Sequence, residues 1–269
     1  MKEGHRHDVL ARERAHHDRW AGTIDTSRIN VAAAFEGSTS PENRFILDKL
    51  SPLPGKRLLE LGTGAGEASA YFALRGCDCV ATDLSTGMLK CCAELAKRHG
   101  VSVEICACHA EILPFPDESF DVVYAANLLH HVNPVRVLEE MQRVLKPGGQ
   151  ACFWDPLRHN PIINVYRRMA SEVRSEDENP LDIRVVDQVR RLFSRVEFDT
   201  FWFATLWLFL RFYLVERVDP NQERYWKKIV DEEPRLRHGY RRLERIDRIV
   251  KKLPWMRRFA WNIAVVATK

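Results

Sequence analysis

From residue 57 onward, short apolar runs alternate with stretches whose apolar residues recur every three or four positions. The runs are 57–62 (RLLELG), 78–83 (DCVATD), 101–108 (VSVEICAC), 120–129 (FDVVYAANLL) and 150–155 (QACFWD). Each is bounded by polar or glycine-rich sequence and has the length of a strand. Between them, 85–99 and 134–145 carry helical periodicity. The second of these helices is expected to stop at Lys146-Pro147-Gly148-Gly149, because proline cannot continue it and glycine supplies the turn. Strands alternating with helices of this length predict βαβ units and a parallel sheet covered on both faces.

The flanks extend this pattern. Ser40-Pro41 reads as an N-cap with proline at N1, opening a helix through Leu50. Helices around Trp20 and Phe35 are expected over the open edge of the sheet. Beyond Asp155, 182–193 reads as a helix, 196–203 as a strand, 219–253 as charged helix and 259–268 (FAWNIAVVAT) as a closing strand. The expected fold is therefore a doubly wound, mostly parallel seven-stranded α/β sheet. An N-terminal helical lid would span 1–55 and the main domain 56–269. Residues 204–258 would be a helical insertion before the last strand.

Composition narrows the class. Of 269 residues, 45% are hydrophobic and 29% charged, enough apolar sequence for a core and incompatible with disorder throughout. No run of 18 apolar residues suggests an ordinary membrane-spanning helix. The first twenty residues are charged, with no signal-like apolar segment. Seven cysteines, an odd number, fit free thiols in a reducing compartment, so a cytoplasmic location is expected. The C-x-C pairs 77/79 and 106/108 are read as small core residues rather than metal ligands. Charge is uneven: 235–258 holds ten Lys/Arg against Glu244 and Asp247, in a chain whose net charge is only +4. The rest of the chain is therefore net acidic, and nucleic acid is not the expected partner.

The strongest chemical signal is Glu60-Leu61-Gly62-Thr63-Gly64-Ala65-Gly66, where the first strand ends and a helix begins. Glycines there permit a sharp turn and close approach of a ligand. A dinucleotide fingerprint would require glycine at position 67, which is Glu67. The acidic Glu60 would repel a pyrophosphate but suits a cation. S-adenosylmethionine, with its sulfonium and ammonium, meets that description. Asp83 ends the second strand, where a carboxylate can accept hydrogen bonds from a ribose diol or cap the helix that follows.

With LELGTGAG, ATDLSTGML, AEILPFPDESFDVVYAANLLHHV and RVLKPGG in succession, the chain resembles the class I S-adenosylmethionine-dependent methyltransferases. It is most similar to the bacterial group that includes quinone-ring C-methyltransferases, over roughly residues 40–156. The resemblance implies a Rossmann-like methyltransferase fold and S-adenosyl-L-methionine as cofactor. It implies that Gly62, Thr63, Gly64 and Gly66 line the methionine and ribose, with Glu60 near the ammonium. Asp83 would hold the ribose, and Leu84 and Met88 would pack on the adenine. His109, Ala110 and Glu111 would flank the adenine amino group, Glu111 or a backbone carbonyl substituting for the acidic residue many relatives carry at His109. Asn127 and Leu128 would stand near the reactive methyl.

Methyl transfer needs a base only when the attacking atom is protonated. His130 and His131 follow the fourth strand at the ligand-binding edge and are the first candidates, or they shape the turn before Asn133-Pro134. Asp155 and His159 follow the fifth strand; Asp155 is either catalytic or a cap for the next helix. His5, His7, His16 and His17 are expected on a solvated helix face, with no metal site. The aromatic stretch 201–215 is expected to serve as core, as the wall of an apolar acceptor pocket, or as a surface meeting lipid. Leu236, Tyr240, Leu243, Ile246, Val250 and Leu253 trace one apolar helix face flanked by arginines. That helix is either a cover with a solvated basic side or an interfacial element drawn to anionic lipid at the inner face of a membrane. The expected activity is methyl transfer to a small apolar acceptor: a lipid, a prenylated or aromatic ring, or a natural-product intermediate. A cofactor-binding partner protein without catalysis, and a nicotinamide-dependent oxidoreductase, are the alternatives.

Overall fold

A computed structural model describes residues 3–50, 52–170 and 178–269, with side chains from residue 8 onward. The strands are β1 (Arg57–Leu61), β2 (Asp78–Asp83), β3 (Val103–Ala107), β4 (Phe120–Ala126), β5 (Leu145–Pro156), β6 (Arg195–Phe201) and β7 (Asn262–Thr268). They form one sheet in the order β3-β2-β1-β4-β5-β7-β6. The β1–β2, β1–β4, β2–β3 and β4–β5 pairings are parallel, while β7 runs antiparallel to both β5 and β6. The seven-stranded, mostly parallel sheet expected from the sequence is present. Strand order reverses between β1 and β4, so their carboxyl ends open a crevice.

The helices are α1 (Glu3–Ala21), α2 (Val31–Glu36), α3 (Pro41–Leu50), α4 (Glu67–Leu74), α5 (Thr86–Arg98), α6 (Pro134–Val144), α7 (Pro161–Met169), α8 (Val185–Leu192), α9 (Trp207–Leu214), α10 (Tyr225–Asp231) and α11 (Glu233–Val250). Successive strand residues point to opposite faces, and the core divides accordingly. Leu59, Leu61, Val123 and Phe153 pack with Val137, Leu138 and Met141 of α6 and Val186 and Val189 of α8. Leu58, Val122, Tyr124 and Cys152 pack with Phe35, Ile46, Leu50 and Phe72 on the other face. Cys77 and Cys79 belong to that second core, as expected; Cys106 and Cys108 are only half-buried on and beside the edge strand β3.

Two boundaries differ from expectation. The Lys146-Pro147-Gly148-Gly149 turn lies inside β5, whose register against β4 is broken between Phe120 and Val122. The closing strand begins at Asn262, because 254–259 winds into a 3-10 helix. Between β6 and β7, α9 to α11 build a separate apolar cluster around Trp202, Leu206, Phe209, Phe212, Tyr225 and Tyr240. Trp202, Leu206, Leu208, Phe209 and Phe212 of the 201–215 stretch are thus core, while Trp207, Tyr213, Leu214 and Val215 stay exposed. The stripe expected on α11 is only partly buried. Leu236 and Tyr240 face inward, Ile246 is exposed, as is Leu253 just past the helix, and the polar Asp247 is buried instead. Asp247 accepts hydrogen bonds from the backbone N–H groups of Phe203 and Thr205 and from the Thr205 hydroxyl, which ties the insertion to the end of β6.

Candidate functional site

A cavity of about 400 Å³ opens at the carboxyl ends of β1, β2, β4 and β5. The turn after β1 supplies its floor. Gly66 precedes α4 with φ +93, and a Cβ there would lie 2.7 Å from Cys92. Gly66 therefore lets α4 and α5 pack closely, and it does not line the cavity. Gly64 has φ +53 and open space where a side chain would point, so its backbone stays accessible from the cavity.

Glu60 leaves β1 toward α4 and is buried. Its Oε2 accepts hydrogen bonds from the Ser69 N–H (2.9 Å), the Ser69 hydroxyl and the Thr63 hydroxyl (2.9 Å). Burial pushes its pKa up to about 7, against these hydrogen bonds. Asp83, at the end of β2, accepts from Gly64 N–H at 3.0 Å and Ser85 N–H at 2.8 Å. Burial raises it as well. Its carboxylate thus joins the glycine turn to the start of α5, and it retains acceptor capacity toward the cavity. Helix α5 takes its own cap from Ser85, whose side chain accepts from Met88 N–H.

Of the expected cofactor residues, Glu60, Gly62, Thr63, Gly64, Asp83, Leu84, His109, Ala110, Asn127 and Leu128 line this cavity. Met88 is fully buried behind it. Glu111 is turned away: its carboxylate accepts from Asn133 N–H at 2.9 Å and faces Arg136, so it does not stand in for the acidic adenine contact. Asn127 has φ +51 directly after β4, a conformation asparagine tolerates better than most residues.

The segment after β4 is fixed by Asp155. This fully buried carboxylate accepts from the N–H groups of Leu128 (3.1 Å), Leu129 (2.8 Å) and His130 (3.2 Å), and stands 2.6 Å from His130 Nδ1. It caps the 3-10 turn Leu129–His131 rather than the next helix, which Asn160 caps. Asp155 does not reach the cavity, so it is a positioning residue and not the base. His159 also lies outside, exposed and 3.0 Å from Asp182. His130 and His131 both line the cavity. Burial and the neighbouring His131 lower the pKa of His130, against the pull of Asp155. Burial would lower His131 too, but the Glu13 carboxylate raises it above its usual value.

The lid contributes more than the sequence indicated. Asp18 of α1 accepts from the Ser85 hydroxyl and Gly87 N–H, docking the helix across the start of α5. Glu13 is buried, and His16 and His17 are half-buried and line the cavity. The solvated face expected there does not hold for these residues; His5 and His7 lie outside the described side chains. Further walls are Trp20, Tyr166, Trp202, Trp226 and Trp261, with Arg224 stacked 4.0 Å over Trp20. At one end the fully buried Glu42 accepts from Trp202 Nε1 (2.6 Å) and Asn262 Nδ2 (2.7 Å). Asn43 accepts there from the Tyr124 hydroxyl at 2.7 Å. These residues come from six separate elements, and no local motif announces them.

A family profile described as a methyltransferase domain matches residues 59–153, the segment that builds β1 to β5 and the glycine turn. That segment of the chain is thus similar to a methyltransferase domain. The chain is 41% identical over 115 residues to a demethylmenaquinone methyltransferase of Renibacterium salmoninarum, covering 42% of this chain and 47% of that protein. It is 33% identical over 144 residues to a glycine/sarcosine/dimethylglycine N-methyltransferase of Actinopolyspora halophila, covering 52% of this chain and 25% of that one. The chain thus spans about half or less of the length of these curated relatives. Among solved structures, a phosphoethanolamine N-methyltransferase of Haemonchus contortus has a similar fold, with a TM-score of 0.57. That match is 20% identical and covers 85% of this chain and 52% of the other.

Proposed function

We propose that the protein uses S-adenosylmethionine to methylate a small acceptor with a flat apolar body and one polar end. The observation that carries this reading is that two chemistries meet in one cavity. The glycine turn, Glu60 and Asp83 border it on one side, and indole and phenol rings wall it elsewhere. The turn suits the cofactor because Gly64 leaves room for a ligand, and because both nearby acids favour a cationic, phosphate-free nucleoside. When bound, the cofactor supplies an activated methyl group. The protein's own task is alignment and exclusion of water. The aromatic walls fit a planar apolar body, and the Glu42–Asn43–Asn262 end supplies hydrogen-bonding groups. Where the acceptor atom carries a proton, His130 is placed to take it. Asp155 on Nδ1 fixes the tautomer that leaves Nε2 to accept. A demethylmenaquinone methyltransferase and a glycine/sarcosine/dimethylglycine N-methyltransferase each match about half of the chain, which supports the transfer chemistry and leaves the acceptor open.

The test is transfer of a labelled methyl group from S-adenosylmethionine to a small-molecule extract. A labelled product is expected with the wild type. Asp83→Ala should lose at least tenfold in cofactor affinity, matching about 1.5–3 kcal/mol for hydrogen bonds to a charged group. Absence of any labelled product would remove the catalytic reading.

The insertion also supports peripheral membrane contact. Ile249 and Trp255 are 67% and 60% exposed, beside the exposed Arg242, Arg245, Arg248 and Lys252. Among the described residues no helix is long and apolar enough to cross a membrane. Apolar side chains rimmed by arginines are the composition of an interfacial surface. Flotation with anionic vesicles should show binding that weakens with salt; equal behaviour with neutral vesicles would contradict it.

A further inference from the structure

Three residues to which the proposed transfer assigns no task converge beside the cavity. Glu13 and His17 stand one turn apart on α1 and so share a face. His131 comes from the turn after β4. The Glu13 Oε2 atom lies 3.5 Å from His17 Nε2 and 3.3 Å from His131 Nδ1. The ligand atoms of all three lie within 4.8 Å of one another.

We propose that Glu13, His17 and His131 form a binding site for a divalent cation of the zinc class. The spacing carries the argument. A tetrahedral ion holding nitrogen and oxygen ligands at about 2.0–2.1 Å sets those atoms about 3.3–3.4 Å apart, close to the two separations that meet at Glu13. Two imidazoles and one carboxylate are a donor set suited to zinc and its neighbours. Sulfur takes no part.

The surroundings have the form of a supporting shell. Asp155 holds the turn that carries His131 through three backbone N–H groups. Asn179 N–H donates to the His130 carbonyl at 2.7 Å. That contact keeps Glu178 close, and His130, His131 and Glu178 form a second group of possible ligands that shares His131. On the other side, Asp18 anchors α1 to α5. Two ligands on the lid and one on the sheet mean that a bound ion would fasten the lid across the cavity. All three residues line the cavity, so a remaining coordination position faces it and suits an acceptor oxygen or nitrogen.

The experiment uses the full chain, stripped of metal and free of any affinity tag, titrated with Zn²⁺ against a chromophoric chelator. One equivalent should bind, with His17→Ala and Glu13→Gln each weakening it at least tenfold. His16→Ala, altering the adjacent histidine outside the group, should bind as the wild type does. Co²⁺ should give visible d–d bands that His17→Ala abolishes. Thermal melts check the fold of each variant, and if Glu13→Gln fails to fold, the half-exposed His17 decides. Stoichiometric binding unchanged in folded His17→Ala, an equal loss in His16→Ala, or no stoichiometric binding by the wild type would overturn the site. The readout needs neither cofactor nor acceptor, so its failure leaves the methyltransferase reading standing.

Discussion

Buried carboxylates do most of the local organising in this molecule, and each does it differently. Asp155 gathers three backbone N–H groups and one imidazole, Asp247 ties the insertion to β6, and Glu60 collects the hydroxyls around the glycine turn. Glu42 is the least compensated. It receives two side-chain hydrogen bonds, yet burial pushes its pKa up from 4.5 to about 7. The folded chain therefore holds a proton on Glu42 that the unfolded chain releases above 4.5. The stabilisation this gives is complete below that pH and is lost as pH rises through about 7. Glu42→Gln keeps an oxygen for Trp202 and Asn262 and cannot ionise. Thermal melts should show the variant gaining on the wild type between about pH 5 and 8, by up to roughly 3 kcal/mol. A pH-independent difference would show that Glu42 ionises as an ordinary surface acid.

At the scale of elements, the sequence was legible wherever burial was apolar and periodic. β2 falls where its apolar run placed it, whereas the caps of α5 and α7 are Ser85 and Asn160 rather than the Asp83 and Asp155 that the sequence offered. Legibility failed where an element turns polar groups inward. Helix α1 has no apolar stripe, because its inner face carries Glu13, His17 and Asp18 toward the cavity and the start of α5. Nothing in a hydrophobic pattern can report such a face. Helix α11 misled in the opposite sense: its regular stripe ends on an exposed Ile246, and the buried position next to it is Asp247. Glu111 was drawn to the adenine by its place in a motif, but its carboxylate serves the backbone of Asn133. The cofactor half of the site was readable because strand, glycine turn and helix are contiguous. The acceptor half was not, since Trp20, Glu42, Trp202, Arg224 and Asn262 meet only after the sheet is complete.

For the molecule as a whole, the reversal of strand order between β1 and β4 creates the crevice, and the lid and insertion roof it. Residues 59–153, the segment similar to a methyltransferase domain, supply the glycine turn and most of β1 to β5, and the segments outside them supply the rest of the cavity wall. The account rests on that crevice receiving an adenosyl-sulfur compound whose ammonium lies beside Glu60. Calorimetry with S-adenosylhomocysteine, in buffers of differing ionisation heat near pH 7, tests this most directly. One equivalent should bind with release of a fraction of a proton, because an ammonium drawn to Glu60 lowers a pKa that stands at about 7 in the free protein. Affinity should accordingly rise with pH between about 6 and 8, and Gly64→Arg should abolish the heat by filling the space beside the turn. No binding by the wild type, or full affinity in Gly64→Arg, would contradict the account.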